Sequence, residues 1–596
     1  MKALKHLNKY FIKYKWHLIS GVLFVTFSNL FSIFPAQLIR YTFDMVEQTI
    51  IQYQLLNGFD VQNEFYGLLS KSLLLAGGVV LLLALLKGVF LFFTRQTVIV
   101  MSRLIEYDLK NEIFEHYQEL SLAFYKRNKT GDLMNRISED VSRVRMYTGP
   151  AIMYSLNLLV LFVLVITTML TVNVKLTLYV LLPLPLLSIS IYYVSNVINI
   201  KSEKVQRQLS VLNSFVQEAF SGIRVLKAYN RDVERDTYFN NETEKYKDTS
   251  LELVKVNALF APLMTLLIGL STILTVYIGG QLAIDNEITT GNIAEFVIYV
   301  NMLTWPVASL GWVTSLTQRA AASQERINEF LHTVPEVQNE VFTPTAVRGG
   351  ITFKDVSFTY PDSGIQAIKD LNFTVNPGDS LAIIGRTGSG KSTIANLICR
   401  LFDVDEGTIE MDGTPIKSVN LSDLRSSIGY VPQEVFLFSD SIRNNIAFGL
   451  KRDEYNEEDV ITAAKQAEVY HNIADFPKGM DTILGERGIT LSGGQKQRVS
   501  IARAIIRQPQ ILILDDALSA VDTETEEKII QHLKPIMEGK TTLIISHRVS
   551  SVKHCNKIIV LEDGTIAEEG NHTQLIDKQG IYFDLFQQQL LEEEKA

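Results

Sequence analysis

One stretch of the chain has the residue types and the spacing that suit the binding of nucleotide phosphates. It follows the pattern G-x-x-x-x-G-K-S and consists of Gly385, Arg386, Thr387, Gly388, Ser389, Gly390, Lys391 and Ser392, with Thr393 directly after it. Glycines leave the backbone N–H groups free to surround the phosphates, the lysine reaches their outer oxygens, and the serine hydroxyl meets Mg²⁺. The stretch therefore predicts a site for a nucleoside triphosphate.

The segments around this loop have the patterns of the elements that must position it. Residues 380–384 are typical of a buried strand and residues 393–397 begin a helix, which would place the phosphates at a helix N-terminus. A second buried run ends at Asp515. A carboxylate in that position holds Mg²⁺ through the water shell of the ion. We therefore assign Ser392 and Asp515 to the metal.

A second motif lies closer to the C-terminus and has the form of the ATP-binding cassette signature. It consists of Leu491, Ser492, Gly493, Gly494 and Gln495. Together with the phosphate-binding loop, it makes the chain resemble the ABC transporter superfamily, specifically exporters that fuse a membrane domain to a nucleotide-binding domain. The resemblance implies that the signature contacts ATP held by the loop of an opposite domain. This half-transporter must then dimerise.

The resemblance implies roles for further residues. Tyr360 matches the aromatic residue that stacks on adenine, Gln433 matches the glutamine that contacts Mg²⁺ or the attacking water, and His547 matches the histidine that contacts the γ-phosphate. Residues 484–488 look like the X-loop of exporters. The D-loop of the family is matched by Ser519, Ala520, Val521 and Asp522. Without the neighbouring motifs, a tyrosine in a turn or a glutamine on the surface would not indicate a nucleotide site.

One position departs from the family pattern. Asp516 follows Asp515 at the place where the family usually has glutamate, the residue that orients or deprotonates the attacking water. Its side chain is one methylene shorter. We expect slow hydrolysis at this chain's own site, with Asp516, His547 and Gln433 as the catalytic residues.

Length and composition exclude several classes of protein. A chain of 596 residues is too long to fold around one hydrophobic core. Its 47% of hydrophobic residues and mean hydropathy of +0.13 suit a protein that is half in the membrane and half in water. The net charge of −9 argues against nucleic acid as a partner. The two cysteines, Cys399 and Cys555, lack disulfide or zinc spacing and are expected to be free thiols.

The first half predicts six membrane-spanning helices. Five lysines precede the first apolar run, and this positive charge predicts that the N-terminus stays in the cytoplasm. A signal peptide is the alternative, but this run exceeds an h-region and lacks a small-x-small cleavage site. The predicted spans are Leu18–Leu38, Leu73–Phe93, Ile152–Leu170, Leu176–Ile198, Leu259–Gly279 and Ala294–Leu316.

Two long polar connections, 94–149 and 201–258, are expected to lie in the cytoplasm as extensions of the membrane helices. Within them, residues 124–133 and 222–229 are similar to the two coupling-helix regions of the family. Periodicity alone is equally consistent with ordinary amphipathic helices.

Two charged residues fall within the predicted spans. An ionisable group at membrane depth is a functional candidate. We expect Lys87, however, to reach toward Arg95 and the cytoplasmic end of its helix, and Glu295 to lie near the outer boundary. Pro183, Pro185 and Pro306 are positioned to interrupt helices and line a cavity.

The predicted architecture is an α-helical six-span transmembrane domain followed by an α/β P-loop NTPase domain, the ATP-binding cassette. Its boundaries are 1–332 for the membrane domain, 333–350 for a linker and 351–590 for the cassette. We expect a multi-pass protein of the inner (plasma) membrane, with both termini and the cassette in the cytoplasm.

The predicted function is ATP-driven export, or leaflet-to-leaflet translocation, of a hydrophobic or amphipathic substrate such as a drug or lipid. The partners would be a second half-transporter, identical or different, and membrane lipid, with ATP and Mg²⁺ as cofactors. The alternative is an ATP-gated or regulatory membrane subunit of a heterodimeric complex. A soluble ATPase is incompatible with six spans.

Overall fold

The computed structural model describes residues 2–55, 59–450, 455–485, 488, 491–519 and 523–593. The chain forms two compact units. The first comprises Met1–His116 and Gly131–Thr333, and the second comprises Tyr117–Thr130 and Val334–Ala596. A helical membrane part is thus followed by an α/β part.

The helices that precede the first strand differ greatly in length. A 3₁₀ turn at Ala3–Leu7 opens the chain, and π-helical turns at Arg95–Ile99, Arg136–Asp140 and Tyr147–Ala151 join neighbouring helices. The helices are α1 (Asn8–Lys13), α2 (Lys15–Leu55), α3 (Phe59–Thr94), α4 (Val100–Glu119), α5 (Leu122–Arg127), α6 (Thr130–Asn135), α7 (Val141–Met146), α8 (Ile152–Val172), α9 (Val174–Leu181), α10 (Pro183–Ser221), α11 (Ile223–Tyr229), α12 (Asp232–Ile284) and α13 (Thr290–Leu331).

Within the described residues, five helical stretches are long and apolar enough to cross a membrane. They contain five of the six predicted spans. The fourth predicted span, Leu176–Ile198, runs through α9 and α10, which are separated at Leu182 before Pro183. A proline interrupts the helical hydrogen-bond ladder, which explains the break. At 1.5 Å per residue the 53 residues of α12 extend about 80 Å, well beyond a bilayer core of about 30 Å.

Glu295 of α13 is fully buried. Arg40 on α2 donates a 3.2 Å hydrogen bond to it, Tyr299 donates one of 2.8 Å and Asn292 one of 3.3 Å. A buried carboxylate needs such partners because desolvation of its charge is costly. Glu295 therefore joins α2 to α13 and is buried inside the chain.

Lys87 does not follow the expectation from sequence. Its ammonium donates a 2.9 Å hydrogen bond to the hydroxyl of Ser32 on α2. Ser28, one turn earlier on α2, donates to the Lys87 carbonyl at 3.4 Å. Because α2 and α3 run antiparallel, Ser32 lies on the side of Lys87 that is farther from Arg95. The Lys87 side chain therefore points away from Arg95, in keeping with the tilt of helical side chains toward the helix N-terminus. The expected reach toward Arg95 is wrong.

The second unit contains two sheets. The antiparallel sheet has the strand order β2-β1-β4-β5, and the larger sheet has the order β10-β9-β3-β8-β7-β6. The strands are β1 (Ile351–Thr359), β2 (Gln366–Val375), β3 (Ser380–Gly385), β4 (Glu406–Met411), β5 (Thr414–Pro415), β6 (Ile428–Val431), β7 (Ile511–Asp515), β8 (Thr541–Ile545), β9 (Lys557–Glu562) and β10 (Thr565–Gly570).

In the larger sheet, β9, β3, β8, β7 and β6 are parallel, and only β10 is antiparallel to its neighbour. Ile545 of β8 pairs with Asp515 of β7 on one side, and Ile383 of β3 pairs with Ile545 on the other. The carboxyl ends of these three strands therefore meet at one edge, where ligands of open α/β sheets bind.

Helices cover the larger sheet, and apolar cores fill both of its faces. The residues of β7 are all buried, as expected for a parallel strand covered on both faces. The helices are α14 (Lys391–Ile398), α15 (Leu421–Ser427), α16 (Ile442–Ala447), α17 (Glu457–Gln466), α18 (Tyr470–Ala474), α19 (Gly493–Ile505), α20 (Thr523–Met537), α21 (Val549–Val552), α22 (His572–Lys578) and α23 (Ile581–Glu593).

Both regions that resemble coupling helices contain a short helix. The first, α5, packs with the second unit: Ala123 is buried in its apolar core and Arg127 forms an ion pair with Glu336. The second, α11, belongs to the first unit and buries none of its residues. Asn230, with φ of +51°, ends α11 in the left-handed conformation that asparagine tolerates.

Candidate nucleotide-binding site

The phosphate-binding loop connects β3 to α14 at the edge where the parallel strands end. Gly390 caps α14 with φ of +99°, and a Cβ there would lie 2.4 Å from the carbonyl oxygen of Ala367. A Cβ on Gly385 would lie 2.2 Å from the carbonyl oxygen of Leu561. Only glycine fits at these two positions, so the loop backbone can keep its N–H groups facing a ligand.

Lys391 is the buried cation of this loop, whereas Arg386 is exposed. Its Nζ donates hydrogen bonds to the carbonyl oxygens of Gly385 (2.9 Å) and Arg386 (2.8 Å), and the residue is only 6% exposed. Burial lowers the pKa of Lys391 to about 8, although the nearby carboxylates of Asp516 and Asp515 oppose the shift. Anionic phosphates would favour the charged form of this ammonium and bind strongly to it.

Ser392 and Asp515 meet although 123 positions separate them. The Ser392 hydroxyl donates a 2.9 Å hydrogen bond to Asp515 Oδ1. Asp515 is buried, and its Oδ2 has no hydrogen-bond partner among the described residues. Burial raises the pKa of Asp515, while the Ser392 hydroxyl opposes the increase. A buried, unsatisfied carboxylate oxygen beside a hydroxyl fits a hard, oxygen-preferring cation such as Mg²⁺.

Asp516 has a constrained backbone. Its φ is +51°, its N–H donates a 2.8 Å hydrogen bond to the carbonyl of Ile545, and its carbonyl accepts hydrogen bonds from Ser519 (2.9 Å) and Gln497 (3.3 Å). The backbone of Asp516 is therefore fixed at the carboxyl end of β7. The short reach of its side chain toward an attacking water stays a prediction.

His547 follows β8 at the same edge and is half-buried. Burial lowers the pKa of His547, Lys391 lowers it further, and the Asp516 carboxylate and a hydrogen bond to the Gly385 backbone oppose the shift. These electrostatic neighbours place His547 beside the phosphate-binding loop. A neutral imidazole at pH 7 is able to donate or accept a hydrogen bond there.

Tyr360 lies immediately after β1, with its phenol oxygen 3.0 Å from Thr393 Oγ1 in the first turn of α14. Its ring makes edge contacts with Phe358 and Phe402. The ring is thus held next to the phosphate-binding loop, where a nucleotide base could stack on it. Lys126 of α5 lies over the same ring, a contact that sequence reasoning did not find.

The signature forms the start of α19. Ser492 caps this 13-residue helix by a reciprocal pair of hydrogen bonds with Gln495. Ser492 and Gly493 are exposed. The first N–H groups of a helix have no intrahelical partner and carry a partial positive charge. This end of α19 therefore has the chemistry of an anion-binding surface.

Comparisons with known proteins agree with this geometry. Residues 18–307 match the family model of the ABC transporter transmembrane region, and residues 368–519 match that of the ABC transporter. The probable multidrug resistance ABC transporter ATP-binding/permease protein YheI of Bacillus subtilis is 35% identical over 528 residues, 88% of this chain and 89% of that protein. The chain belongs to the ABC transporter family.

A further relative and a solved structure indicate which type of ABC transporter this chain is. The ATP-dependent lipid A-core flippase of Syntrophus aciditrophicus is 33% identical over 516 residues, 86% of this chain and 85% of that protein. The solved structure of a bacterial Atm1-family ABC exporter with ATP bound shares 26% identity and a TM-score of 0.78, covering 96% of this chain and 98% of that one. This ABC transporter is an exporter-type half-transporter, and its ATPase domain couples ATP hydrolysis to transport.

The remaining predicted residues of the ABC transporter are less constrained. Gln433 is exposed two residues after β6, the strand that neighbours β7. Of the D-loop, Ser519 contacts Asp516, whereas Ala520, Val521 and Asp522 lie outside the described residues. In the X-loop, Glu486 and Arg487 also lie outside them.

Gln497 is a second residue that sequence reasoning missed. It contacts the carbonyl of Asp516 and the hydroxyl of Ser519 from α19. The sequence offered one indication, which is that Gln497 is a polar residue two positions after the signature, in a helix whose buried residues are mostly apolar. A buried polar side chain needs a hydrogen-bond partner.

Proposed function

We propose that two such chains form an ATP-driven exporter of the inner (plasma) membrane that moves a hydrophobic or amphipathic molecule, such as a drug or lipid. The observation that carries the proposal is the cluster of Lys391, Ser392 and Asp515 in a chain whose described residues also include five long apolar helical stretches. The names of the relatives, a multidrug resistance transporter and a lipid A-core flippase, support this substrate range.

In the proposed ATP site, the loop N–H groups and Lys391 bind the phosphates, and Tyr360 stacks on adenine. Ser392, Asp515 and Gln433 would hold Mg²⁺, which supplies charge neutralisation at the phosphates. Asp516 orients the attacking water and His547 contacts the γ-phosphate. The water oxygen attacks the γ-phosphorus, the bond to the bridging oxygen breaks, and ADP and phosphate leave.

The exposed start of α19 supports a dimer. Its N–H groups and Ser492 suit the γ-phosphate of ATP bound to the partner chain, so that each ATP lies between two cassettes. Binding of ATP would close the cassettes and hydrolysis would release them.

We assign three parts of the transporter by sequence range, which are a membrane domain at 1–332, a linker at 333–350 and a cassette at 351–590. The cassette and both termini lie in the cytoplasm. The short helices α5 and α11 would transmit cassette movement to the spans as coupling helices. The helical stretches Asp60–Glu119 and Thr130–Val172 flank α5, and the long helices α10 and α12 flank α11.

Asp516 favours a second candidate function. Its constrained backbone and short side chain suit a heterodimer in which this chain's own site hydrolyses ATP slowly and its signature completes the partner's site. In that case the chain is a regulatory or ATP-gated subunit beside a glutamate-bearing half-transporter.

The proposal is tested with the purified chain in proteoliposomes. ATP-dependent movement of a fluorescent lipid or a hydrophobic dye is compared between the wild type, Lys391→Ala and Lys417→Ala, an exposed lysine of the same unit. Loss of movement only in Lys391→Ala supports an ATP-driven exporter. Equal movement in all three proteins overturns it.

A further inference from the structure

Helix α23 is fixed to the second unit over its first turns. The N–H group of Tyr582 donates a 3.1 Å hydrogen bond to the carboxylate of Glu568 on β10. Tyr582 is fully buried, and Leu585 and Phe586 pack against the apolar core of the same unit. Packing therefore sets the position of the following turn of α23, and that turn carries Gln589.

The side chain of Gln589 uses both ends of its amide on the segment that contains His547. Its nitrogen donates a 2.5 Å hydrogen bond to the carbonyl of His547, and its oxygen accepts a 2.7 Å hydrogen bond from the N–H group of Val549. An ionised glutamate could accept the second bond but could not donate the first, and alanine could make neither. Together the two contacts therefore require an amide at position 589.

The backbone at His547 depends on such a partner. Strand β8 ends at Ile545 and α21 begins at Val549, so His547 belongs to neither element. A backbone carbonyl outside a strand or helix needs a hydrogen bond from a side chain or from water. The two bonds from Gln589 therefore hold the peptide groups on both sides of Arg548 in place.

Arg548 attaches the same segment to two further elements. Its guanidinium donates a 2.8 Å hydrogen bond to Glu526 of α20, which is only 2% exposed, and one of 3.3 Å to the carbonyl of Ser519. The Ser519 hydroxyl in turn donates to the carbonyl of Asp516. The segment is therefore tied to α23 through Gln589 and to the surroundings of Asp516 through Arg548.

We propose that Gln589 is a positioning residue for ATP hydrolysis, which holds the backbone of His547 and Val549 so that the imidazole of His547 meets the γ-phosphate. The inference rests on the proposed function, in which His547 contacts that phosphate. Among the described residues, the hydrogen bonds of Gln589 run to this segment and not to the phosphate-binding loop. Loss of Gln589 should therefore lower the rate of hydrolysis rather than the affinity for ATP.

The test compares purified full-length wild type, Gln589→Ala, Gln588→Ala and His547→Ala in nanodiscs. Radiolabelled ATP, which detects slow turnover, gives kcat and KM, a fluorescent ATP analogue gives the dissociation constant, and thermal unfolding gives the melting temperature. We expect Gln589→Ala to lower kcat by about tenfold or more, because a small displacement of a group that acts on the reacting phosphate is costly.

In Gln589→Ala, KM and the dissociation constant should stay within about twofold of the wild type, and the melting temperature should not change. Gln588 is an exposed neighbour of the same type, so Gln588→Ala should behave like the wild type in every measurement. Gln589→Glu, which keeps the acceptor and loses the donor, should also lower kcat, with Gln588→Glu as its matched control.

An unchanged kcat in Gln589→Ala overturns the inference. So does a lower melting temperature in both Gln589 variants with a parallel loss of ATP affinity, which would show a merely structural role. A wild-type kcat in His547→Ala would refute the γ-phosphate contact of the proposed function and the inference with it. A low kcat in His547→Ala beside a normal one in Gln589→Ala refutes the inference alone.

Discussion

The ammonium of Lys126 lies 4.1 Å from the centroid of the Tyr360 ring. Lys126 belongs to α5, one of the two regions that resemble coupling helices, and Tyr360 is the proposed adenine-stacking residue. A cation over an aromatic ring contributes about 0.5–2 kcal/mol, depending on its exposure. The contact thus connects α5 directly to the nucleotide site within the second unit.

We expect Lys126→Met to raise the KM for ATP by about two- to fivefold while sparing kcat, because loss of the cation loosens the Tyr360 ring without touching the reacting phosphate. Steady-state ATPase assays on the purified protein measure both constants. Lys129→Met, an exposed lysine of the same segment, is the control and should behave like the wild type. An unchanged KM in Lys126→Met would show that the contact has no role in ATP binding.

Tyr360→Ala should raise the ATP concentration needed for half-maximal turnover and leave maximal turnover unchanged, since stacking on adenine acts equally before and during the reaction. Tyr360→Phe keeps the ring and loses only the hydroxyl contact with Thr393, so its KM should stay near that of the wild type. The same assay provides the measurement. A lower maximal rate at saturating ATP in Tyr360→Ala would contradict a stacking role.

ATP affinity should fall as the pH rises through about 8. Burial lowers the pKa of Lys391 to about 8 before nucleotide binds, so the ammonium is present below that pH and is lost above it. The dissociation constant of a fluorescent ATP analogue, measured between about pH 6.5 and 9.5, tests this sign. In Lys391→Ala the basic limb should disappear. A limb that persists in this variant would assign the titration to another group.

Asp516→Glu should increase turnover at this chain's own site by up to about a hundredfold, because a side chain longer by one methylene would bring the carboxylate closer to the attacking water. Asp516→Asn should reduce the remaining activity. Both variants are assayed with and without a partner half-transporter. A fast homodimeric ATPase that Asp516→Asn silences and Asp516→Glu leaves unchanged would make Asp516 an effective base and exclude a degenerate site.

Glu295→Ala should lower the thermal stability of the detergent-solubilised protein, because it leaves Arg40 without its buried partner. Breaking such a pair costs about 3–5 kcal/mol. The double substitution Arg40→Met with Glu295→Leu should recover part of the loss, since apolar residues of similar size remove both charges. Thermal unfolding followed by tryptophan fluorescence measures the shift. Equal stability of Glu295→Ala and the wild type would contradict a structural role.

The sequence by itself determined the parts of the protein that depend on consecutive residues. The phosphate-binding loop needs glycines, a lysine and a serine at fixed spacing between a strand and a helix, and that spacing is visible from Gly385 to Ser392. Spans of about twenty apolar residues are equally local, because each helix satisfies its own backbone hydrogen bonds in the membrane. The membrane domain, the cassette and their order follow from such patterns.

Only the tertiary structure decided which distant residues meet. The motifs already assign Ser392 and Asp515 to one metal, but the direct contact between them arises because β3, β8 and β7 are neighbouring parallel strands, and strand order is not encoded in the pattern of any one strand. Lys126 reaches Tyr360 because α5 packs with the cassette, although its sequence lies between helices of the membrane unit. Lys87 turns toward Ser32 rather than Arg95 because α2 presents a hydroxyl there. Such contacts depend on how elements pack, which local periodicity does not specify.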